Sequence, residues 1–563
     1  MNYKEVYEQW LNNDFFDEET KADLLSIKDD EAEIEDRFYK GLEFGTAGLR
    51  GKLGAGTNRM NKYMVGKAAQ ALAETLKNHG EEAVKRGVAI SYDVRYKSKE
   101  FAELTCSIMA AHGIKTYIYN GIHPTPMCSY AIRKLHCKAG VMVTASHNPQ
   151  EYNGYKAYWE EGSQILDDIA GQIAGHMDEI VNFEDIKSIP FEEALESGLA
   201  NYIDASVEED YYKEVLNLTI NEDVDKSIKV GYTPLNGTGN IPVREILKRR
   251  GFENIYVVKE QEFPDPDFTT VGYPNPEFPK AFAYSEKLGK ENDCDILIAN
   301  DPDCDRVALE VRNANGDYVF LNGNKIGALL SYYIFSQRSA LNNLPENPVM
   351  VKSIVTGDLS RAIAKKYGIE TVETLTGFKN ICGKANEYDR TKEKTYVFGY
   401  EESIGFCYGT FVRDKDAVSA SMMIVEMAAY FKKQGKTLLD VLNDIYAEFG
   451  FYNERQVSLE LEGVEGQERI ARMMEEFREH PLTTVGAMEL EKVIDFKDGY
   501  LDFPKQNCLK YYFKDGSWYA LRPSGTEPKI KLYIYSIGKD EKESVEKLDL
   551  IEKVCREKMD SVK

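Results

Sequence analysis

The sequence has no CxxC pair, no HExxH motif and no other regular spacing among its nine cysteines and seven histidines. An odd, dispersed set of thiols argues against a disulfide framework or a zinc site and reads as reduced cysteine. No window approaches the about 18 consecutive apolar residues that a membrane-crossing helix needs. The opening Met1-Asn2-Tyr3-Lys4-Glu5 lacks the apolar stretch of a secretion signal, so a cytoplasmic protein is expected. Low-complexity tracts are missing too. Positive charge is scarce: 70 Lys and Arg face 94 Asp and Glu, a formal net charge of −24. That balance argues against nucleic acid or membrane as a partner, because both need clustered basic residues to neutralise phosphates. A small anionic ligand remains compatible, provided a few cations converge on it.

What the chain does have is length and alternation. Its 563 residues, 43% hydrophobic and 29% charged, suffice for several cores and roughly three to five domains. The N-terminal segment reads as helix, with acidic runs at 17–19 and 29–31 on a solvated face. Short β-branched runs at 87–94, 139–144, 229–232, 255–258, 295–299, 349–355 and 395–398 then read as buried parallel strands. Helical stretches at 100–112, 241–250, 325–337 and from Asp358 alternate with them. The end differs. An alternating run at 456–461, a helix at 466–479, a hairpin at 510–521 around Asp515-Gly516, a strand at 529–535 and a helix at 541–558 make a small α+β module. The expected fold is α/β, with four domains around a central cleft. Three would be α/β with mixed or parallel sheets, spanning 1–210, 211–322 and 323–453, and the fourth a smaller α+β domain at 454–563.

Ligands of parallel α/β sheets bind beyond the carboxyl ends of strands. Four strand-end segments concentrate polar chemistry, one per domain: 144–149 (TASHNP), 300–306 (NDPDCDR), 400–405 (YEESIG) and 522–529 (RPSGTEPK). Asp301, Asp303 and Asp305 alternate so that three carboxylates can meet at one point, and an all-oxygen set suits magnesium or calcium. An EF-hand is excluded, since Arg306 and Arg312 stand where it needs Gly and Glu. The bland reading is an acidic turn broken by Pro302, but Arg306 adds a cation suited to a phosphate oxygen. Ser146 ends a strand and needs a base or a metal to become a nucleophile. His147 is one candidate base, although metal activation fits better in the absence of a Ser-His-Asp relay. Lys156 reads either as a surface lysine or as a proton carrier whose pKa is lowered by burial or neighbouring cations. Residues 522–529 offer two cations, two hydroxyls and a glycine, the parts of a phosphate clamp or of an ordinary hairpin loop. Glu401 and Ser403 suit adjacent sugar hydroxyls.

Together the four segments resemble, in order and over most of the chain, the α-D-phosphohexomutases. Residues 144–149 are similar to that family's phosphoserine loop, 301–306 to its metal loop, 401–403 to its sugar-recognition loop and 522–529 to its phosphate loop. Residues 44–51 (FGTAGLRG) resemble a segment carrying an active-site arginine, here Arg50. The resemblance implies that Ser146 is phosphorylated and binds Mg2+ with Asp301, Asp303 and Asp305, and that Lys156 is the general acid/base. Arg50 and Arg306 would contact phosphate at the reacting centre, with His147 beside them. Thr376 and Gly377, with Glu401 and Ser403, would contact sugar, and Lys415, Arg522, Ser524, Gly525 and Thr526 the distal phosphate.

The activity so implied is phosphoglucomutase: glucose 1-phosphate and glucose 6-phosphate interconvert through the phosphoserine and glucose 1,6-bisphosphate. The double acid at 401–402 favours glucose over mannose or glucosamine phosphates. The opening motif and the Asn-Gly-Tyr-Lys context of Lys156 resemble the branch that also holds phosphopentomutases. Phosphopentomutase is therefore the main rival and phosphomannomutase the next. A metal-dependent phosphatase and a non-enzymatic sugar-phosphate sensor stand outside the class. A monomer or weak homo-oligomer is implied.

Overall fold

The computed structural model describes residues 2–46, 48–461, 463–524 and 529–563. They form two compact units. One comprises Met1–Asn322, Cys382–Gly399 and Ser403–Gly435, the other Gly323–Ile381, Tyr400–Glu402 and Lys436–Lys563. Among the described residues no helix is long and apolar enough to cross a membrane.

The first unit opens with three helices, Tyr3–Asn12, Glu18–Ser26 and Glu31–Phe38. Their acidic runs are more than a solvated face: Asp17 and Asp30 accept the free N–H groups at the starts of the second and third helices. Trp10, Phe16, Phe38 and Tyr63 close an aromatic cluster beneath them. A six-stranded sheet follows, built from β1 (Leu49–Lys52), β2 (Val88–Tyr92), β3 (Thr116–Ile118), β4 (Ala139–Val143), β5 (Tyr152–Trp159) and β6 (Ala200–Tyr202) in the order β1-β5-β4-β2-β3-β6. The middle is parallel, as apolar β-branched runs buried on both faces demand. β5 and β1 return antiparallel. The next sheet repeats the design with β7 (Val230–Thr233), β8 (Ile255–Val257), β9 (Ile296–Asn300), β10 (Val307–Arg312) and β11 (Tyr318–Leu321), ordered β11-β10-β9-β7-β8. Here β7, β8 and β9 are parallel, while β10 turns back on β9.

The third α/β domain contributes to both units. Its β12 (Pro348–Ser353) and β13 (Glu370–Thr374) are parallel and lie in the second unit. Most of β14 (Thr395–Glu401) and all of β15 (Gly405–Tyr408) lie in the first. The C-terminal domain is a smaller, antiparallel α+β module. Its strands β16 (Phe451–Glu460), β17 (Thr484–Val485), β18 (Met488–Asp495), β19 (Leu509–Phe513), β20 (Trp518–Pro523) and β21 (Lys529–Gly538) run in the order β16-β21-β20-β19-β18-β17. Helices Gly463–Glu479 and Glu541–Ser561 cover one face through Met473, Phe477, Leu548 and Ile551. The expected β19–β20 hairpin turns at Gly516 with φ +87°.

Helix Ala417–Lys432 is buried along almost its whole length. Its Glu426 accepts the Ile220 and Asn221 N–H groups at 2.9 and 3.0 Å and pairs with buried Arg250 at 2.9 Å. Removing one partner of such a pair strands the other charge. Glu426→Ala is therefore expected to lower the stability of the first unit by about 3 kcal/mol, read as a drop in the urea midpoint. An unchanged midpoint would show that Arg250 finds solvent instead.

Candidate active site

Each chemically loaded loop of the first unit joins a central parallel strand to an antiparallel return strand. Residues 144–151 link β4 to β5, and pairing across that hairpin sets Met142 opposite Lys156. β1 pairs with β5 so that Arg50 lies opposite Gly154. Ser146, Lys156 and Arg50 are thus brought to one sheet end by register alone. Residues 301–306 link β9 to β10 in the same way.

Ser146 has a left-handed backbone, φ +53°, at a cost on the order of 1 kcal/mol for a residue with a Cβ. Its surroundings enforce that shape. The Ser146 N–H donates to Thr144 Oγ1 at 2.8 Å, and Thr144 donates to Asp93 at 2.6 Å. Arg95 donates to the carbonyls of Ser146 (2.7 Å), Pro149 (2.8 Å) and Tyr152 (3.1 Å), and also to that of Asn148. Asp93 and Arg95 are both buried. Burial pushes the Asp93 carboxyl up, and Arg95 opposes it. Sequence reading missed this pair, although a charged Asp-Val-Arg directly after a buried strand was the visible signal.

The Ser146 hydroxyl donates to Asp301 Oδ2 at 2.9 Å. Asp301 Oδ1 accepts the N–H groups of Asp305 and Arg306 at 3.1 and 3.0 Å, which closes the turn. Asp303 Oδ2 accepts from Lys156 at 2.7 Å and from Thr125 at 2.8 Å. Lys156 and Lys415 lie 3.4 and 3.1 Å from Asp305 Oδ2. The three aspartates are at most 1% exposed, and one oxygen of each lies within 4.8 Å of the others. Burial and the two neighbouring carboxylates push Asp301 well above the usual carboxylate range. Asp305 is buried too, but Lys415, Lys156 and Arg306 overcome this and hold it well below. Asp303 Oδ1 and Asp305 Oδ1 are buried without a hydrogen-bond partner. Oxygen-only donors, mutual repulsion and unmatched lone pairs together fit a hard divalent cation.

The cations around the triad are placed as follows. Burial works against the charge of Lys156, yet Asp303 and Asp305 outweigh it and hold this pKa up. The lowered value that a proton carrier calls for is not what the folded chain sets. Lys415, grouped with the distal phosphate by resemblance, has its ammonium on Asp305 and Asp414. Gly405 makes room for its stem, since a Cβ there would lie 2.4 Å from Lys415 Cδ. Arg306 reaches Ser403 O at 3.4 Å, Asp305 at 3.7 Å and Glu277 at 3.5 Å. Arg50 donates to Asn148 Oδ1 at 3.1 Å from an exposed position. His147 Nδ1 lies 3.2 Å from Ser146 Oγ. Its packed surroundings, with Arg306 and Arg50, push its pKa well below the ordinary value, so the imidazole is neutral.

The remaining expected residues belong to the second unit. Glu401 Oε1 accepts the Gly377 N–H at 2.7 Å, with Gly377 at φ +108°. The Thr376 carbonyl accepts from Asn380 at 3.0 Å. Arg522 stands on β20 opposite Lys531, and the Ser524 N–H donates to Lys529 O at 2.8 Å. Gly525 and Thr526 lie outside the described residues.

Comparison with known proteins bears on this arrangement directly. The four domain patterns of phosphoglucomutase/phosphomannomutase match in order: alpha/beta/alpha domains I, II and III at 41–183, 209–315 and 322–449, and the C-terminal domain at 471–549. A phosphoglucomutase from Staphylococcus epidermidis is 37% identical over 544 residues, covering 95% of this chain and 96% of that one. Among solved structures, the phosphoglucomutase pp63/parafusin from Paramecium superposes with a TM-score of 0.72 at 20% identity, covering 93% and 95% of the two chains. An N-acetylphosphoglucosamine mutase from Aspergillus fumigatus, solved with GlcNAc-6P and magnesium, gives 0.51 at 16% identity, covering 93% and 97%.

The triad's fit to a cation can be tested without turnover. Calorimetric titration with Mg2+ is expected to show one site in the intact chain and a loss of more than about tenfold in affinity in Asp303→Asn. Equal affinities would remove Asp303 from the ligand set.

Proposed function

Because this chain belongs to the phosphoglucomutase/phosphomannomutase family, we propose that it is an isomerase that interconverts glucose 1-phosphate and glucose 6-phosphate through a phosphorylated Ser146. The observation that carries the proposal is the Ser146 hydroxyl donating to Asp301 inside a buried trio of carboxylates. A magnesium ion bound by Asp301, Asp303, Asp305 and Ser146 would draw negative charge off the transferring phosphoryl group.

The chain's own residues divide the remaining work. Ser146 Oγ carries the phosphoryl group and releases it to the free hydroxyl of the sugar phosphate, giving glucose 1,6-bisphosphate, which also serves as activator. Arg306 and Arg50 are the cations for the phosphoryl oxygens, and Arg306 is aimed by the Ser403 carbonyl and Glu277. Lys156, held as an ammonium against Asp303, supplies a proton to Ser146 Oγ as the ester bond breaks, and the proton shed by the attacking sugar hydroxyl restores its charge. Neutral His147, 3.2 Å from the same oxygen, keeps the hydroxyl oriented. Thr376, Gly377, Glu401 and Ser403 read the sugar, while Arg522, Ser524, Gly525 and Thr526 hold the phosphate that is not reacting, with Lys415 nearer the metal loop. After the bisphosphate turns over, Ser146 takes back the other phosphate.

We place the domain limits at 1–210, 211–322, 323–453 and 454–563, a division supported by the order of the four matched segments. We place the protein in the cytoplasm as a monomer or weak homo-oligomer.

Ser146→Ala is expected to lower kcat by at least about 10⁴-fold and to abolish transfer of label from glucose 1,6-bisphosphate to protein. Retained turnover would exclude the serine relay. Side-by-side kcat/KM values should favour glucose 1-phosphate over ribose 1-phosphate; the reverse order would make the chain a phosphopentomutase. Steady release of inorganic phosphate, with no stimulation by the bisphosphate, would make it a phosphatase.

A further inference from the structure

The second unit holds charged side chains that the proposed reaction does not use. Lys352 on β12 and Lys510 on β19 are fully buried, a costly position unless their charges are matched. Lys352 Nζ donates to Thr356 O at 2.7 Å and lies 3.0 Å from Asp358 and 3.1 Å from Glu373. Lys510 Nζ donates to the Ile354 carbonyl and rests over the Trp518 ring, 4.0 Å from its centroid. Trp518 Nε1 donates to Asp358 Oδ2 at 2.8 Å. Arg361 adds a third cation, 2.9 Å from Asp358 and 2.6 Å from Glu373. Burial works to raise both carboxyls, yet Lys352, Lys510 and Arg361 hold them well below the usual carboxylate range.

Apart from those to Glu373 on β13, these bonds end on one short turn, residues 354–358, between β12 and helix Leu359–Lys366. Ser353 and Thr356, at the same turn, donate their hydroxyls to Glu402 Oε2 at 3.2 and 2.9 Å. Glu402 adjoins Glu401, which accepts the Gly377 N–H. The C-terminal domain therefore braces the support on which the acid pair is seated. Trp518 begins β20 and Arg522 lies near its other end, so one strand carries both the brace and a candidate phosphate ligand.

We propose that Lys510 and Trp518 are positioning residues that fix the Glu401-Glu402 pair and so set the enzyme's discrimination between sugars. Through β20 they tie engagement of the distal phosphate to the reading of the hydroxyls. The proposal rests on the assignment of Glu401 to the sugar in the preceding subsection.

Lys510→Met, Trp518→Phe and the conservative Lys510→Arg test it in the full-length protein. In the first two, amide exchange at Gly377 and across 400–404 should quicken by about threefold or more, with exchange at 144–152 unchanged. The kcat/KM ratio of glucose 1-phosphate to ribose 1-phosphate should fall by about fivefold or more. Lys510→Arg should stay within about twofold of the parent on both measures. Parental exchange at Gly377 in the variants, or an unchanged ratio, would overturn the proposal. If Lys510→Met does not fold, Trp518→Phe, which loses only the Asp358 bond and part of the ring face, decides. A parent that turns over neither sugar phosphate would instead defeat the function proposed above, and the exchange comparison alone would then judge the brace.

Discussion

Three aspartates whose carboxylates converge away from water repel one another, and much of the first unit is arranged around that repulsion. Oxygens within 4.8 Å in a dry setting cannot all keep their charge without compensation. The chain supplies two buried ammonium groups and a guanidinium, each from a different segment: Lys156 from β5, Lys415 from the stretch after β15, and Arg306 from the metal loop itself. A protein with a net charge of −24 thus concentrates cations where its own anions and a phosphate have to coexist. The same three carboxylates fasten two domains together, because Ser146, Thr125 and Lys156 all reach them from the segment that carries the first sheet.

The second organising device is geometric. A parallel strand delivers its loop to the sheet's carboxyl end, and an antiparallel return strand then brings the chain back alongside. Such a loop is anchored at both ends by ladder bonds, which limits its conformations more than a connection running off to a helix would. Rigid seating matters for a nucleophile that has to meet a metal and a substrate within a fraction of an ångström.

Much of this was legible in the sequence. The segments 144–149 and 300–306 stood out because each concentrates polar chemistry at the carboxyl end of a buried strand, and the folded chain brings them together as a hydroxyl on a carboxylate. The acid pair and the Thr376-Gly377 loop also meet. What escaped were facts of pairing and field. β5 and β10 reverse direction, yet an apolar run looks the same whether its neighbour is parallel or antiparallel. Asp93 and Arg95 gave no periodic signal, being two isolated charges whose worth lies in carbonyls more than fifty residues away. Lys156 read either as a surface lysine or as a proton carrier in need of a lowered pKa, but it is buried and its pKa is held up by Asp303 and Asp305, about 150 positions further on. Lys415 was grouped by analogy with the far phosphate, and only the folded chain sets it on Asp305.

The left-handed backbone at Ser146 narrows which amino acids this position can accept, apart from any demand of the chemistry. Threonine carries the same alcohol, but its branched Cβ is poorly tolerated at positive φ, so that swap is conservative for the reagent and disruptive for the scaffold. Aspartate and asparagine visit this region more readily. An acidic stand-in for the phosphorylated form would therefore suit the main chain better than the closest chemical homologue of serine does.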